Sequence, residues 1–224
     1  MWLLAVDTTT KNASVALARD PSPGQARLGT GGQLVALVSP RTDEQHSVQL
    51  FRNIEQAIGE AGLALRVGLA VVKGLAEMHG KPVVPVSVLE AVCESAKSEG
   101  LLVPIVNAYR GQIFGGLYEK YGDEIERRTA ERVLTLPEFL SALRTEGVNP
   151  TQCTLVGADL DSWAAAIAAT PFATSRREAI SPVLADAVAR LGARKFARGE
   201  AVDALHLEAN YVRRSDAELL WKEK

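Results

Sequence analysis

A chain of 224 residues, 47% apolar, can bury a substantial core in one large domain or two modest ones. Its 25 Lys and Arg against 27 Asp and Glu leave a net charge of −2, which excludes broad electrostatic capture of nucleic acid or an anionic membrane. No apolar run approaches the length of a membrane span. Cys93 and Cys153 lack metal-ligand spacing, so both are expected as reduced core thiols of a cytoplasmic protein.

Residues 2–6 form a continuous apolar run suited to a buried strand, with neither the basic leader nor the cleavage site of a signal peptide. Residues 7–12 turn the chain into a second strand over 13–18. Residues 19–32, rich in Gly and Pro, form a loop before a third strand over 33–39. Thr42 with Gln45 opens a helix by a capping-box pattern, and apolar residues at helical spacing carry it to about Gly62. A second helix spans 66–78 and ends at Gly80. A strand over 82–86 follows, then a helix over 87–99 capped by Ser87 and Glu90.

Residues 101–106 are all apolar and predict a central strand; 112–121 and 124–128 predict a meander. Thr135 with Glu138, and Pro137 in the first turn, start a helix ending near Arg144. A strand over 153–156, a helix over 159–169 and a longer helix from Ser181-Pro182 to about Arg198 complete the series. The charged tail 213–224 is expected to be surface-bound or frayed.

The stretch 66–78 carries two apolar faces. At ~100° per residue, Arg66, Lys73 and Glu77 share one narrow arc. Val67, Ala70, Val71, Gly74 and Met78 make one face, while Leu69, Val72 and Ala76 make nearly the opposite one. A helix with two such stripes is either buried all round or shared with a second surface. The sharper expectation is that one face packs on a sheet and the other, joined by Leu50 and Ile54 of the preceding helix, on a partner.

Three strands, a helix, then alternating helix and strand recur from residue 101 onward. This describes an α/β chain with the duplicated ribonuclease-H-like, actin-like ATPase fold in two lobes, 1–102 and 103–224. One step of the series is missing: residues 63–65 can join two helices but are too few for a strand and its return loop.

Several segments resemble the TsaB (YeaZ-like) family: Leu3-Leu4-Ala5-Val6-Asp7-Thr8-Thr9-Thr10, Glu44-Gln45-His46-Ser47, the helix 66–76, Val84-Pro85-Val86-Ser87-Val88-Leu89, Asn107-Ala108-Tyr109-Arg110-Gly111-Gln112-Ile113-Phe114, and Tyr211-Val212-Arg213. Their order and spacing span nearly the whole chain. The resemblance implies a cytoplasmic, non-catalytic subunit of the machinery that makes threonylcarbamoyladenosine on transfer RNA. It implies pairing with the catalytic subunit TsaD through first-lobe helices and, in TsaD's absence, a homodimer. The ATPase TsaE would join the assembly, and transfer RNA would be met only through the complex.

The family carries a strand and a glycine-rich loop directly before the helix that matches 66–76, and here Leu65 runs straight into Arg66. Either those residues are deleted from this chain or they are missing from the sequence as read. The second alternative is preferred, and it expects the Leu65 and Arg66 alpha carbons to stand much farther apart than the ~3.8 Å of a trans peptide.

Asp7 ends the first strand, where catalytic relatives of this fold hold metal and phosphate, and Thr8, Thr9 and Thr10 add hydroxyls. No glycine allows close backbone approach there, and the matching turn of the second half, 107–111, lacks a carboxylate. At most a degenerate phosphate turn with weak residual nucleotide binding is expected, and no cofactor. TsaD-like proteins place two metal-binding histidines at i and i+4; the matching positions here are His46 and Leu50, and one ligand cannot hold a catalytic metal. Neither Cys93 nor Cys153 has a local histidine, Ser47 diverges from adjacent His46 by ~100° on a helix, and Arg127, Arg128 and Arg132 are better explained as a solvated face than as an RNA site. The competing reading is an ATP-dependent small-molecule kinase using Asp7 as a metal ligand.

Overall fold

The computed structural model describes residues 2–7, 14–19, 33–38 and 64–208. By compactness the chain divides into two units, one taking Met1–Ala91 and Pro182–Ala209, the other Val92–Ser181 and Asn210–Lys224. The helix expected over 42–62, with His46, Leu50 and Ile54, lies outside the described residues, as do Thr8, Thr9, Thr10 and the tail 213–224.

In the first unit, β1 (Trp2–Asp7), β2 (Ser14–Arg19) and β3 (Gln33–Val38) form an antiparallel sheet in the order β1-β2-β3. Trp2 pairs with Arg19 and Asp7 with Ser14. Alternation sends Ala5, Ala16 and Ala18 to one face, where they pack with Ala185 and Ala189. These small side chains allow a helix to lie close to the sheet.

Helix α1 (Ala64–His79) runs unbroken through Leu65 and Arg66, so the expected wide separation of those two residues does not exist. A helix requires consecutive backbone units, and Ala64, Leu65 and Arg66 are good helix formers that extend α1 toward its amino end. Between 63 and 66 the chain therefore makes a helical start where the family pattern has a strand and a glycine-rich loop.

The strand expected over 82–86 is reduced to one antiparallel bridge, Val83 with Val202, closed by reciprocal 2.8 Å hydrogen bonds. Pro82 and Pro85 have no N–H to donate, so no ladder can grow on either side. Ser87 then caps α2 (Val88–Ser95): its Oγ accepts from Leu89 N–H at 3.1 Å, and its own N–H donates to Glu90 at 3.3 Å. Helix α2 stops at Ser95, short of the expected Glu99, because the N–H groups of Lys97 and Ser98 go to the Glu178 carboxylate at 2.6 and 3.0 Å.

The second unit is built on β4 (Gly100–Tyr109), the central strand expected from its apolar run. Its partners are β5 (Gln112–Gly115), β6 (Tyr118–Tyr121), β7 (Glu124–Arg127), β8 (Arg132–Thr135), β9 (Cys153–Gly157) and β10 (Arg176–Ala179). The path is β10-β9-β4-β5-β8, with β6 and β7 branching from the start of β4. Strands β4, β9 and β10 are parallel; the other pairs are antiparallel.

The expected single strand 112–121 is two. Gly115 lies so near Phe139 that an added Cβ would meet its ring at 2.7 Å, and the chain then bends through Gly116 and Leu117 to pair with the other end of β4. Strands β8 and β10 lack an apolar run, which hid them in the sequence.

Helix α3 (Leu136–Thr145) begins with the expected capping box: Thr135 N–H and Oγ donate to Glu138 at 3.1 and 2.6 Å. Leu136, Phe139, Leu140 and Leu143 bury one face against Val103, Ile105, Ile113 and Leu155. The helix expected over 159–169 is a 3-10 turn, Asp161–Trp163, followed by the short α4 (Ala164–Ala168). Back in the first unit, α5 (Ala185–Ala197) starts three residues later than Pro182 suggested, where Ser14 Oγ accepts from Ala185 N–H at 3.1 Å.

Candidate functional site

Helix α1 presents two unlike sides. Ala76 is 8% exposed, and Leu69, Val72 and Lys73 are half-buried, on the side that packs toward β1. Ala70, Gly74 and Met78 are exposed, Met78 to 75%, with Leu75 beside them at 43%. Val67 and Val71 belong to the same arc by helical spacing; their side chains lie outside the described residues.

Among the described residues, nothing lies within 4 Å of a Cβ built on Gly74. Lys73 Nζ donates to the Leu205 carbonyl at 3.4 Å, placing the turn that carries Leu205, itself 75% exposed, alongside the helix. Glu77 is exposed and charged at the stripe's margin. The face thus has an apolar, small-residue centre with a charged edge, the composition of a surface that loses water when a second helix is laid on it.

Asp7 is 4% exposed and faces Ser14 across the β1–β2 pair. In the second unit, the turn 107–111 is a tight hairpin from β4 to β5 in which Tyr109 pairs with Gln112. Tyr109, Arg110 and Gly111 have φ of 60°, 54° and 75°, and Tyr109 N–H donates to Asn107 Oδ1 at 2.8 Å. In the sequence this turn was marked only by its missing carboxylate. Its signal was present in Arg-Gly occupying the two central positions of a two-residue hairpin, where Asn-Gly is the relaxed choice.

Arg128 pairs with Glu119 and, at 2.7 Å, with Glu126; Arg132 pairs with Glu146 at 2.5 Å. Two of the three clustered arginines are therefore neutralised by their own unit. Hydrogen bonds from Tyr121 and Arg128 hold the Glu119 carboxyl below its usual range, and Glu119 in turn raises the Tyr121 phenol. His79 is exposed at the end of α1, and His206 Nδ1 lies 2.6 Å from Asp203. Both cysteines are buried, as expected, and burial pushes the Cys153 thiol up, away from nucleophilic use. Among the described residues no three His, Cys, Asp or Glu side chains are grouped to hold a metal, and no helix is long and apolar enough to cross a membrane.

The fold and sequence together place the chain in a class. Residues 61–191 match the family model described as "TsaD: tRNA N6-adenosine threonylcarbamoyltransferase", more than half of the chain, and the chain belongs to that family. Within it the resemblance is to TsaB/YeaZ-like proteins. The tRNA threonylcarbamoyladenosine biosynthesis protein TsaB of Bacillus subtilis (strain 168) is 24% identical over 163 residues, covering 64% of this chain and 66% of that relative.

Two Pseudomonas aeruginosa structures share the fold. An uncharacterized protein with similarity to peptidase YEAZ has a TM-score of 0.68 at 21% identity, over 95% of this chain and 99% of its own. YeaZ has 0.62 at 20% identity, over 92% and 96%.

Proposed function

We propose that this chain is a non-catalytic partner subunit in the synthesis of threonylcarbamoyladenosine on transfer RNA. It docks through the exposed face of α1 onto a TsaD-like catalytic subunit, and through that subunit joins a TsaE-like ATPase. Without the catalytic subunit, the same face pairs two copies of the chain. Transfer RNA is engaged within the assembly, in the cytoplasm, and the chain brings no cofactor of its own. The observation that carries the reading is the solvent-facing stripe Ala70, Gly74 and Met78, flanked by Leu75, on a helix whose other side is already packed. Family membership and the TsaB relative supply the reaction to which such a surface would belong.

Gly74→Arg tests it. Among the described residues nothing crowds Gly74, so a side chain is admitted there, and replacing a mid-helix glycine favours the helix by up to about 1 kcal/mol. In a helix-helix contact, the same guanidinium is left buried and unpaired at a cost of several kcal/mol, enough to abolish micromolar pairing. Sedimentation of the chain, alone and with the TsaD-like subunit, should show the variant folded and monomeric. Unchanged pairing would remove this surface from consideration.

A further inference from the structure

Left-handed backbone is costly for any residue with a Cβ, and this chain otherwise respects that cost. Among the described residues, the other positive-φ positions, including Gly80, Gly100, Gly122, Gly147 and Gly199, are all glycine. Tyr109 and Arg110 are the exceptions, adjacent to each other at φ 60° and 54°. A two-residue hairpin needs positive φ at both central residues and is usually made by Asn-Gly or Asp-Gly. Keeping Arg at the first central position, and Tyr left-handed at the irregular strand position just before it, sacrifices backbone stability, a pattern that marks sites where the side chains are needed.

What the tip displays is an aromatic ring, 53% exposed, and an exposed guanidinium beside it. Asn107 Oδ1 pins the Tyr109 N–H from below, and β4 and β5 hold both residues on a rigid base. The tip stands at the carboxyl end of β4, which runs parallel to β9; in open α/β sheets, ligands gather at that end. The other exposed large apolar side chain described in the second unit is Tyr121, whose hydroxyl is committed to Glu119. The exposed aliphatic residues Leu4, Leu75, Met78 and Leu205 all belong to the first unit. The first unit's exposed surface thus suits a protein, while the Tyr-Arg tip suits a base and its phosphate.

We propose that Tyr109 and Arg110 contact one unpaired nucleotide of an RNA loop, the ring stacking on the base and the guanidinium pairing with the flanking phosphate. A single point of contact agrees with a chain of net charge −2, which has no broad basic field. The identity of the RNA as a transfer RNA rests on the function proposed above; the contact itself rests on the hairpin.

The test titrates the full chain, together with the TsaD-like subunit, against a stem-loop RNA with unpaired adenines and a blunt duplex of equal length, at one fixed salt concentration. Tyr109→Ala should weaken loop binding about tenfold, the loss of one stacked base, and Tyr109→Phe should retain it. Arg110→Gly relaxes the turn, so it should raise the Tm of the isolated chain while weakening loop binding. This opposition separates an RNA role from a structural one.

Wild-type binding that shows no preference for loop over duplex, or Tyr109→Ala and Arg110→Gly variants that bind like wild type, would overturn the proposal. Flat results here with pairing still lost in Gly74→Arg would leave the subunit reading standing. Loop binding lost at Tyr109 with pairing unchanged in Gly74→Arg would do the reverse.

Discussion

Lys120 is a buried ammonium whose partners are backbone oxygens. It is 8% exposed, and its Nζ donates to the carbonyls of Cys93 at 3.1 Å, Glu94 at 3.3 Å and Ala96. These carbonyls gather where α2 ends, and a cation at that end complements the helix dipole. A lysine in the alternating β6 segment would ordinarily be assigned to solvent; its inward turn follows from the carbonyls gathered there. Lys120→Met keeps the stem's volume but removes the charged donor and its three hydrogen bonds. It should cost about 2–3 kcal/mol in urea unfolding of the chain, against near zero for exposed Lys97→Met.

At the level of elements, β10 shows how one edge strand can anchor a neighbour it does not pair with. Glu178 on β10 takes the N–H groups of Lys97 and Ser98, tying the link between α2 and β4. Burial alone would raise its carboxyl, but the hydrogen bonds from Ser98 and Lys97 and the charge of Lys120 outweigh it and hold the group below its usual range. A carboxyl lowered in the folded state contributes stability that is present above its unfolded pKa and lost as pH falls through the folded one. Wild type should therefore lose on the order of 1 kcal/mol between neutral pH and strong acid through this group. Glu178→Gln should be less stable at pH 7 and flatter in a pH series of thermal melts. An unchanged acid slope would show that the carboxylate contributes nothing there.

Element legibility followed the physics of each signal. The strands β1, β2, β4 and β9 and the caps at Ser87 and Thr135 were readable because an apolar run or a capping pair acts locally. Strand 82–86 misled because its valines suggested pairing while its two prolines removed the donors. Strands β8 and β10 were invisible because their charged residues take strand form only from the neighbour they pair with.

On the scale of the whole molecule, the prediction concerns nucleotide binding. Asp7 ends β1 and is buried, and the 107–111 turn of the second unit displays Tyr109 and Arg110 and has no carboxylate. No glycine follows Asp7 in the turn to let backbone amides approach a phosphate, so calorimetry with ATP and magnesium should give at most weak heat that is indifferent to Asp7→Ala. Tight binding lost in that variant would revive the kinase reading.

Sequence alone determined the α/β class, the central strand, the core placement of both cysteines and the two-faced character of α1. Each depends on local periodicity, local capping or composition, which a chain carries wherever it folds. Tertiary structure decided that α1 runs unbroken across Leu65 and Arg66, that its Ala70, Gly74 and Met78 side meets solvent, that Lys120 turns inward, and that Tyr109 and Arg110 are held left-handed. Those facts depend on what stands opposite each residue. Burial and strain are relations between distant parts of the chain, and no local pattern encodes them.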